Sequence, residues 1–174
     1  MLDDPLDPQL DVLSEESFEN REKKLTDAAQ TRQMAWVLTI AGAIPFVALT
    51  LALMFLGKTH PLQGDIVSAL VTYGAAILSF LGGIRWGVAM RSPDADEAKN
   101  TIAWSVVTCL VGWFSLFLPV PYVIGVQIIA FAAQGTWDSF AAQYGAFGLW
   151  FAKLRITITF IVVLTLVAAF FATV

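Results

Sequence analysis

From Met34 to Val174 the chain alternates long apolar runs with short polar breaks, whereas the thirty-three residues before it are dominated by charge. A hydrocarbon core about 30 Å thick is crossed by a helix of about 20 apolar residues, and several runs reach or approach that length. The pattern predicts spans over 34–56, 66–90, 102–118, 122–137 and 154–174. Spans three and four are short and joined by Pro119-Val120-Pro121, which cannot continue a helix and reads as a tight hairpin turn. The fold class that follows is all-α: an integral membrane helical bundle with about five transmembrane helices.

Composition agrees, since 57% of the 174 residues are hydrophobic and 14% charged, a balance that a soluble domain of this size cannot bury. Nine of the fourteen acids lie between Asp3 and Asp27, so the net charge of -4 describes a tail and not the membrane part. Two regions follow: an acidic cytoplasmic segment, 1–33, and a membrane domain, 34–174. Within the first, Ser14 to Gln33 carries a cap residue, early acids and later bases, which fits a surface helix feeding the first span, with disorder expected before it. The first thirty residues have neither the cationic head of a signal peptide nor the Arg-rich character of a transit peptide, so no cleavage is expected.

Lys and Arg collect on the cytoplasmic side of membrane proteins. Eight of them (Arg21, Lys23, Lys24, Arg32, Arg91, Lys99, Lys153, Arg155) fall on one side of the predicted topology and Lys58 alone on the other. The N-terminus is therefore expected in the cytoplasm and the C-terminus outside. Between spans four and five, an interfacial segment over about 139–153 holds Phe140, Tyr144, Phe147 and Phe151 at helical spacing beside Trp150, interrupted by Gly145 and Gly148. It reads as an aromatic belt in the headgroup layer or, more sharply, as a lipid or quinone headgroup site.

The polar residues inside the spans carry whatever chemistry is present. In span two, Ala75, Ser79, Gly83 and Gly87 recur every four residues, with Gly82 beside them. This is a stripe on which another helix of the same or a second chain can approach closely, the alternative being a ligand path. Arg85 lies about 140° round the same helix and about 7.5 Å from its end. Span four, running the other way, brings Asp138 to the same depth. An ion pair between Arg85 and Asp138 would explain both charges; separate snorkelling, or a substrate or proton site, would also do so. Gln127 and Gln134 share the face of Asp138 and form either interhelical hydrogen bonds or a polar path. Pro45 deprives the Ala41 carbonyl of its helical partner, which predicts a kink near Gly42 and, less directly, an ion site of the broken-helix kind. Cys109 sits in an apolar run and reads as packing, and His60, the single histidine, excludes bis-histidine haem ligation.

No nucleophile–base pair, phosphate-binding loop, HExxH or Cys/His ligand set is present, so no catalytic residue, metal site or cofactor is assigned. The bases suit anionic lipid headgroups and not nucleic acid. The segment YGAAILSFLGGIRWGVAM, Tyr73 to Met90, resembles the signature of the DUF3429 family of small multi-span membrane proteins of unknown function, transmembrane protein 69-like. AGAIPF at Ala41 to Phe46, the Trp104 to Trp113 span, and KLRITIT at Lys153 to Thr159 follow in the same order, so the resemblance extends from about Met34 to Thr165. The chain departs from the pattern at Thr108, where a proline is expected, and at Gly148-Leu149, where Leu-Pro is expected. The resemblance implies an inner membrane, bacterial or mitochondrial, and no activity.

Two functions of different class remain at this point. One is a non-catalytic accessory or assembly module packing through its small-residue faces in a membrane-protein complex or homo-oligomer, surrounded by membrane lipids and without nucleic acid. The other is a small-solute or ion transporter or channel using Arg85, Asp138 and the polar face of span four. A membrane enzyme acting on lipid or quinone is the third and weakest reading. The bacterial inner membrane is the expected location.

Overall fold

The structure is a computed structural model that describes the backbone of residues 8–143 and 149–174 and, within these, the side chains of 18–140 and 150–174. Five helices follow in order: α1 (Pro8–Leu56), α2 (Gln63–Ala89), α3 (Ala95–Ser115), α4 (Tyr122–Gln143) and α5 (Leu149–Thr173). Two units divide the chain, Met1–Ala41 and Gly42–Val174. The described part of the first unit is helical, and its described side chains are exposed almost throughout. The surface helix and the first span predicted as neighbours are thus one helix, as residues 14–33 contain neither proline nor glycine to stop it. Pro45 lies inside this helix. Among the described residues, Phe18–Leu56, Gln63–Ala89 and Trp150–Thr173 are each long and apolar enough to cross a membrane. In α3, Lys99 and Asn100 dilute the apolar run, and in α4 Gln127, Gln134 and Asp138 do so.

Helix ends are marked by local chemistry. Gly57, at φ 74°, closes α1 in the left-handed conformation that only glycine adopts without cost. The imidazole of His60 then accepts the Leu62 N–H through Nδ1 at 3.2 Å, so this histidine shapes the turn into α2. Asp94 caps α3, with Oδ1 accepting the N–H groups of Asp96 at 2.9 Å and Glu97 at 3.3 Å. The predicted turn at Pro119–Pro121 separates α3 from α4.

Within the second unit, one stripe of each helix faces the core at the three- and four-residue intervals of an α-helix: Ala43, Phe46, Thr50 and Leu53 on α1, and Ile158, Val162, Leu166 and Ala169 on α5. Phe46 sits at the centre, edge-on to Tyr73 of α2 at 5.1 Å and to Phe131 of α4 at 5.5 Å. Two bonds tie α1 to the rest: the Tyr73 hydroxyl donates to the Gly42 carbonyl at 2.8 Å, and the Thr50 hydroxyl to the Thr165 carbonyl at 3.3 Å. The Gly42 region, predicted as a kink, therefore offers a carbonyl to a neighbouring helix.

Packing of α2 on α3 depends on small residues. At Gly82 a methyl group would stand 2.5 Å from the Ser105 carbonyl oxygen, and at Gly112 it would stand 3.2 Å from the Ala75 carbonyl. The Cys109 thiol meets the Ser79 hydroxyl at 3.3 Å in the same seam. The outer face of α3 is apolar instead, with Trp113 and Phe114, and Phe117 just beyond the helix end, each more than half exposed. In this seam small and polar residues lie inside and large apolar ones outside, the reverse of a soluble protein. In lipid it is the stable arrangement, because tails solvate leucine as well as the core does while polar groups need internal partners. The chain is accordingly an all-α, multi-pass membrane protein.

Candidate functional site

The buried stripe of α4 is the one that carries Gln127, Gln134 and Asp138, which are 0%, 8% and 5% exposed. Asp138 is the centre of a three-charge cluster. Its Oδ1 accepts Arg85 Nε of α2 at 2.7 Å, and its Oδ2 accepts Arg155 Nη2 of α5 at 2.6 Å. A third donor, Gln134 Nε2, reaches Oδ1 at 3.1 Å from one turn earlier in α4. The Gln134 Oε1 in turn accepts the Thr108 hydroxyl of α3 at 2.9 Å. One carboxylate thus joins α4 to α2 and α5 through short, charge-assisted bonds, and Gln134 extends the network to α3. The guanidinium of Arg85 also lies 5.4 Å from the centroid of the Trp137 ring, within cation–π range.

All three ionic side chains are more than nine-tenths buried. Taking charges out of water costs several kcal/mol per ion, on the order of what close pairing recovers, so the cluster holds only because geometry and partner count are favourable. Its sum is not neutral: two arginines face one aspartate. Among the described residues, two donor positions, Arg85 Nη2 and Arg155 Nε, have no hydrogen-bond partner.

A second polar tie lies further along α4. Gln127 Nε2 donates to the Val71 carbonyl at 2.7 Å and to the Ser115 hydroxyl at 3.3 Å, which joins α4 to α2 and α3. Its Oε1 accepts no conventional bond and rests against Gly74, where a side chain would collide with it. Gly135 makes the matching allowance on the other side of α4, towards Thr159 of α5.

The structure thus brings Arg85 and Asp138 together as an ion pair, one of the alternatives that the sequence left open. It adds Arg155, which the sequence reading used only to orient the topology. The signal was present: Arg155 stands at the head of the α5 stripe of positions 158, 162, 166 and 169, whereas its basic neighbour Lys153 is off that stripe and exposed. The Ala75, Ser79, Gly83, Gly87 stripe is divided. Ala75 and Ser79, with Gly82, face α3; Gly83 and Gly87 are exposed, and a methyl group at either meets nothing within 4 Å. Of the aromatic segment, Tyr144 and Phe147 lie outside the described residues, as do Gly145 and Gly148; Phe140 is exposed, and the rings of Trp150 and Phe151 meet edge-on at 5.9 Å. Among the described residues, no three His, Cys, Asp or Glu side chains converge as a metal site would require.

Comparison with known proteins gives a family and no activity. The family described as "Protein of unknown function (DUF3429)" matches residues 31–171. Transmembrane protein 69 of Xenopus tropicalis is 32% identical over 149 residues, which cover 84% of this chain and 56% of that protein. Transmembrane protein 69 of Mus musculus is 34% identical over 85 residues, 47% of this chain and 33% of that protein. The chain thus spans about half the length, or less, of these curated relatives. No solved structure matches.

Proposed function

Since this chain belongs to the DUF3429 family, whose description carries no activity, we propose that it is a non-catalytic accessory or assembly module of the bacterial inner membrane. In this reading all five helices cross the bilayer, with the N-terminus in the cytoplasm. One observation carries it: the polar side chains of the α4 stripe are consumed in bonds between helices. Gln127 closes on Val71 and Ser115, Gln134 on Thr108, and Asp138 on two arginines. Side chains bonded in this way hold helices in register. The transporter reading uses the same residues and requires these bonds to open, so it draws less support.

The face offered to a partner is then the exposed half of the α2 stripe. Gly83 and Gly87, where an added methyl group would meet no atom of the described residues within 4 Å, leave a shallow strip flanked by the exposed Phe80 and Trp86. A second membrane helix approaches closely on such a strip. Replacing Gly83 by Leu puts a side chain where only a partner would meet it. We expect Gly83→Leu to retain wild-type thermal stability in detergent and to lose, by quantitative mass spectrometry, at least tenfold of any membrane protein that co-purifies with the tagged wild type. Unchanged co-purification together with unchanged oligomer size refutes the docking face.

A further inference from the structure

Interhelical packing leaves one property of the charged cluster unused, its excess of a single positive charge with a donor to spare. Among the described residues Arg85 Nη2 has no hydrogen-bond partner and is closed to solvent, a costly state for an ionised group in a membrane protein. Arg85 is also part of the wall of a cavity of about 450 Å³ between α3 and α4, within the range of roughly 300–1,000 Å³ typical of small-molecule sites.

The wall of this cavity is graded. At one end stand Arg85, Gln134 and the indoles of Trp104 and Trp137, whose ring centroids are 6.1 Å apart; at the other end stand Val111, Val126 and Ile129. From Thr101 to Val111 the wall follows α3 for ten residues, a rise of about 15 Å. That is half of a hydrocarbon core about 30 Å thick, the depth of one leaflet. A charged and aromatic end followed by an apolar trough of leaflet length matches a molecule with an anionic head and one extended chain. Indole pairs favour the headgroup level, where one edge of the ring is wet and the body apolar.

We propose that the α3–α4 groove is a specific site for an anionic amphiphile, its phosphate or carboxylate accepting from the Arg85 guanidinium and one acyl chain lying along Val111, Val126 and Ile129. The anion meets the guanidinium where Arg85 forms the wall of the groove, and it balances the second arginine of the cluster. Asp138 keeps Nε, so the fork of Arg85 is divided between a protein carboxylate and the bound head. This inference concerns α3 and α4 and does not depend on the partner face of α2.

The test uses the purified full chain in mild detergent, stripped of co-purified lipid and titrated separately with palmitoyl-oleoyl phosphatidylglycerol, palmitoyl-oleoyl phosphatidylcholine and palmitate, with native mass spectrometry counting what is retained. One anionic molecule per chain is expected, bound about tenfold or more tightly than phosphatidylcholine. Ala133→Phe fills the groove away from the charges and is expected to abolish that binding without changing the melting temperature. Arg85→Gln should remove the preference for anions; should that variant fail to fold, Ala133→Phe decides alone. Retention of phosphatidylglycerol over palmitate identifies the source as a phospholipid head, and the opposite result a free fatty acid; either supports the site. Equal retention of phosphatidylglycerol and phosphatidylcholine, or anion binding that survives Ala133→Phe, overturns it.

Discussion

Adjacent glycines on α2 should respond with opposite sign to the same methyl group. In a helix interior, Gly→Ala gains about 0.5–1 kcal/mol from reduced backbone entropy in the unfolded chain. At Gly83 nothing stands within 4 Å of the new carbon, so Gly83→Ala should show that gain in the purified chain. At Gly82 the carbon would lie 2.5 Å from the Ser105 carbonyl oxygen and would have to retreat to the 3.4 Å of ordinary contact, a separation of about 0.9 Å. The obstacle is backbone and cannot rotate away. Overpacking of this kind costs about 1–3 kcal/mol, which leaves Gly82→Ala less stable by up to about 2.5 kcal/mol after the helix-propensity gain. Gly112→Ala is intermediate: its nearest neighbours are at 3.2 and 3.3 Å, so a shift of about 0.2 Å relieves it and the net effect should be close to zero. Reversible unfolding in mixed micelles, followed by tryptophan fluorescence, measures the series. The expected order of stability is Gly83→Ala above wild type, Gly112→Ala near it, and Gly82→Ala below. A Gly83→Ala variant as unstable as Gly82→Ala would mean that α3 does not pack where the structure places it.

The charged cluster and the glutamine tie make two further predictions. Asp138→Ala strands two buried arginines and should destabilise the fold by about 3–5 kcal/mol, the cost of breaking a buried pair, whereas Arg85→Met, Asp138→Leu and Arg155→Met together should recover most of that loss. A triple variant no better than Asp138→Ala would show that the cluster is not a closed unit. Gln127→Leu removes the bonds to Val71 and Ser115 and should cost about 1 kcal/mol in the same unfolding assay, since interhelical hydrogen bonds in membranes are modest. A loss above about 3 kcal/mol would assign Gln127 a larger part than these two bonds explain.

The divided stripe shows how far a single helix can be read without its neighbours. Ala75, Ser79, Gly83 and Gly87 share a four-residue repeat, yet the repeat drifts round the helix by about 40° at each step, so its two ends face different surroundings. The lower half meets α3, and the upper half has turned away from it. Arg155 was left out of the candidate cluster for a different reason. Beside Lys153 at the end of a span it matched the charge bias that orients membrane proteins, and that bias does not distinguish an exposed base from one turned inward.

What the amino-acid order determines by itself is whatever depends on neighbours along the chain. Apolar run length, helix stops at Gly57 and at the Pro119–Pro121 turn, and the depth of each polar residue follow from rise per residue and local sterics. Matching depth placed Arg85 and Asp138 on one level for that reason. Tertiary structure decided which helices are adjacent and how each is rotated. That rotation put Arg155 on the second oxygen of Asp138, consumed the polar stripe of α4 in bonds to other helices, and left a groove between α3 and α4 beside an arginine with a donor unpaired. In lipid the choice among rotations is made by close packing and polar satisfaction between helices distant in sequence, and no periodicity within one helix records them.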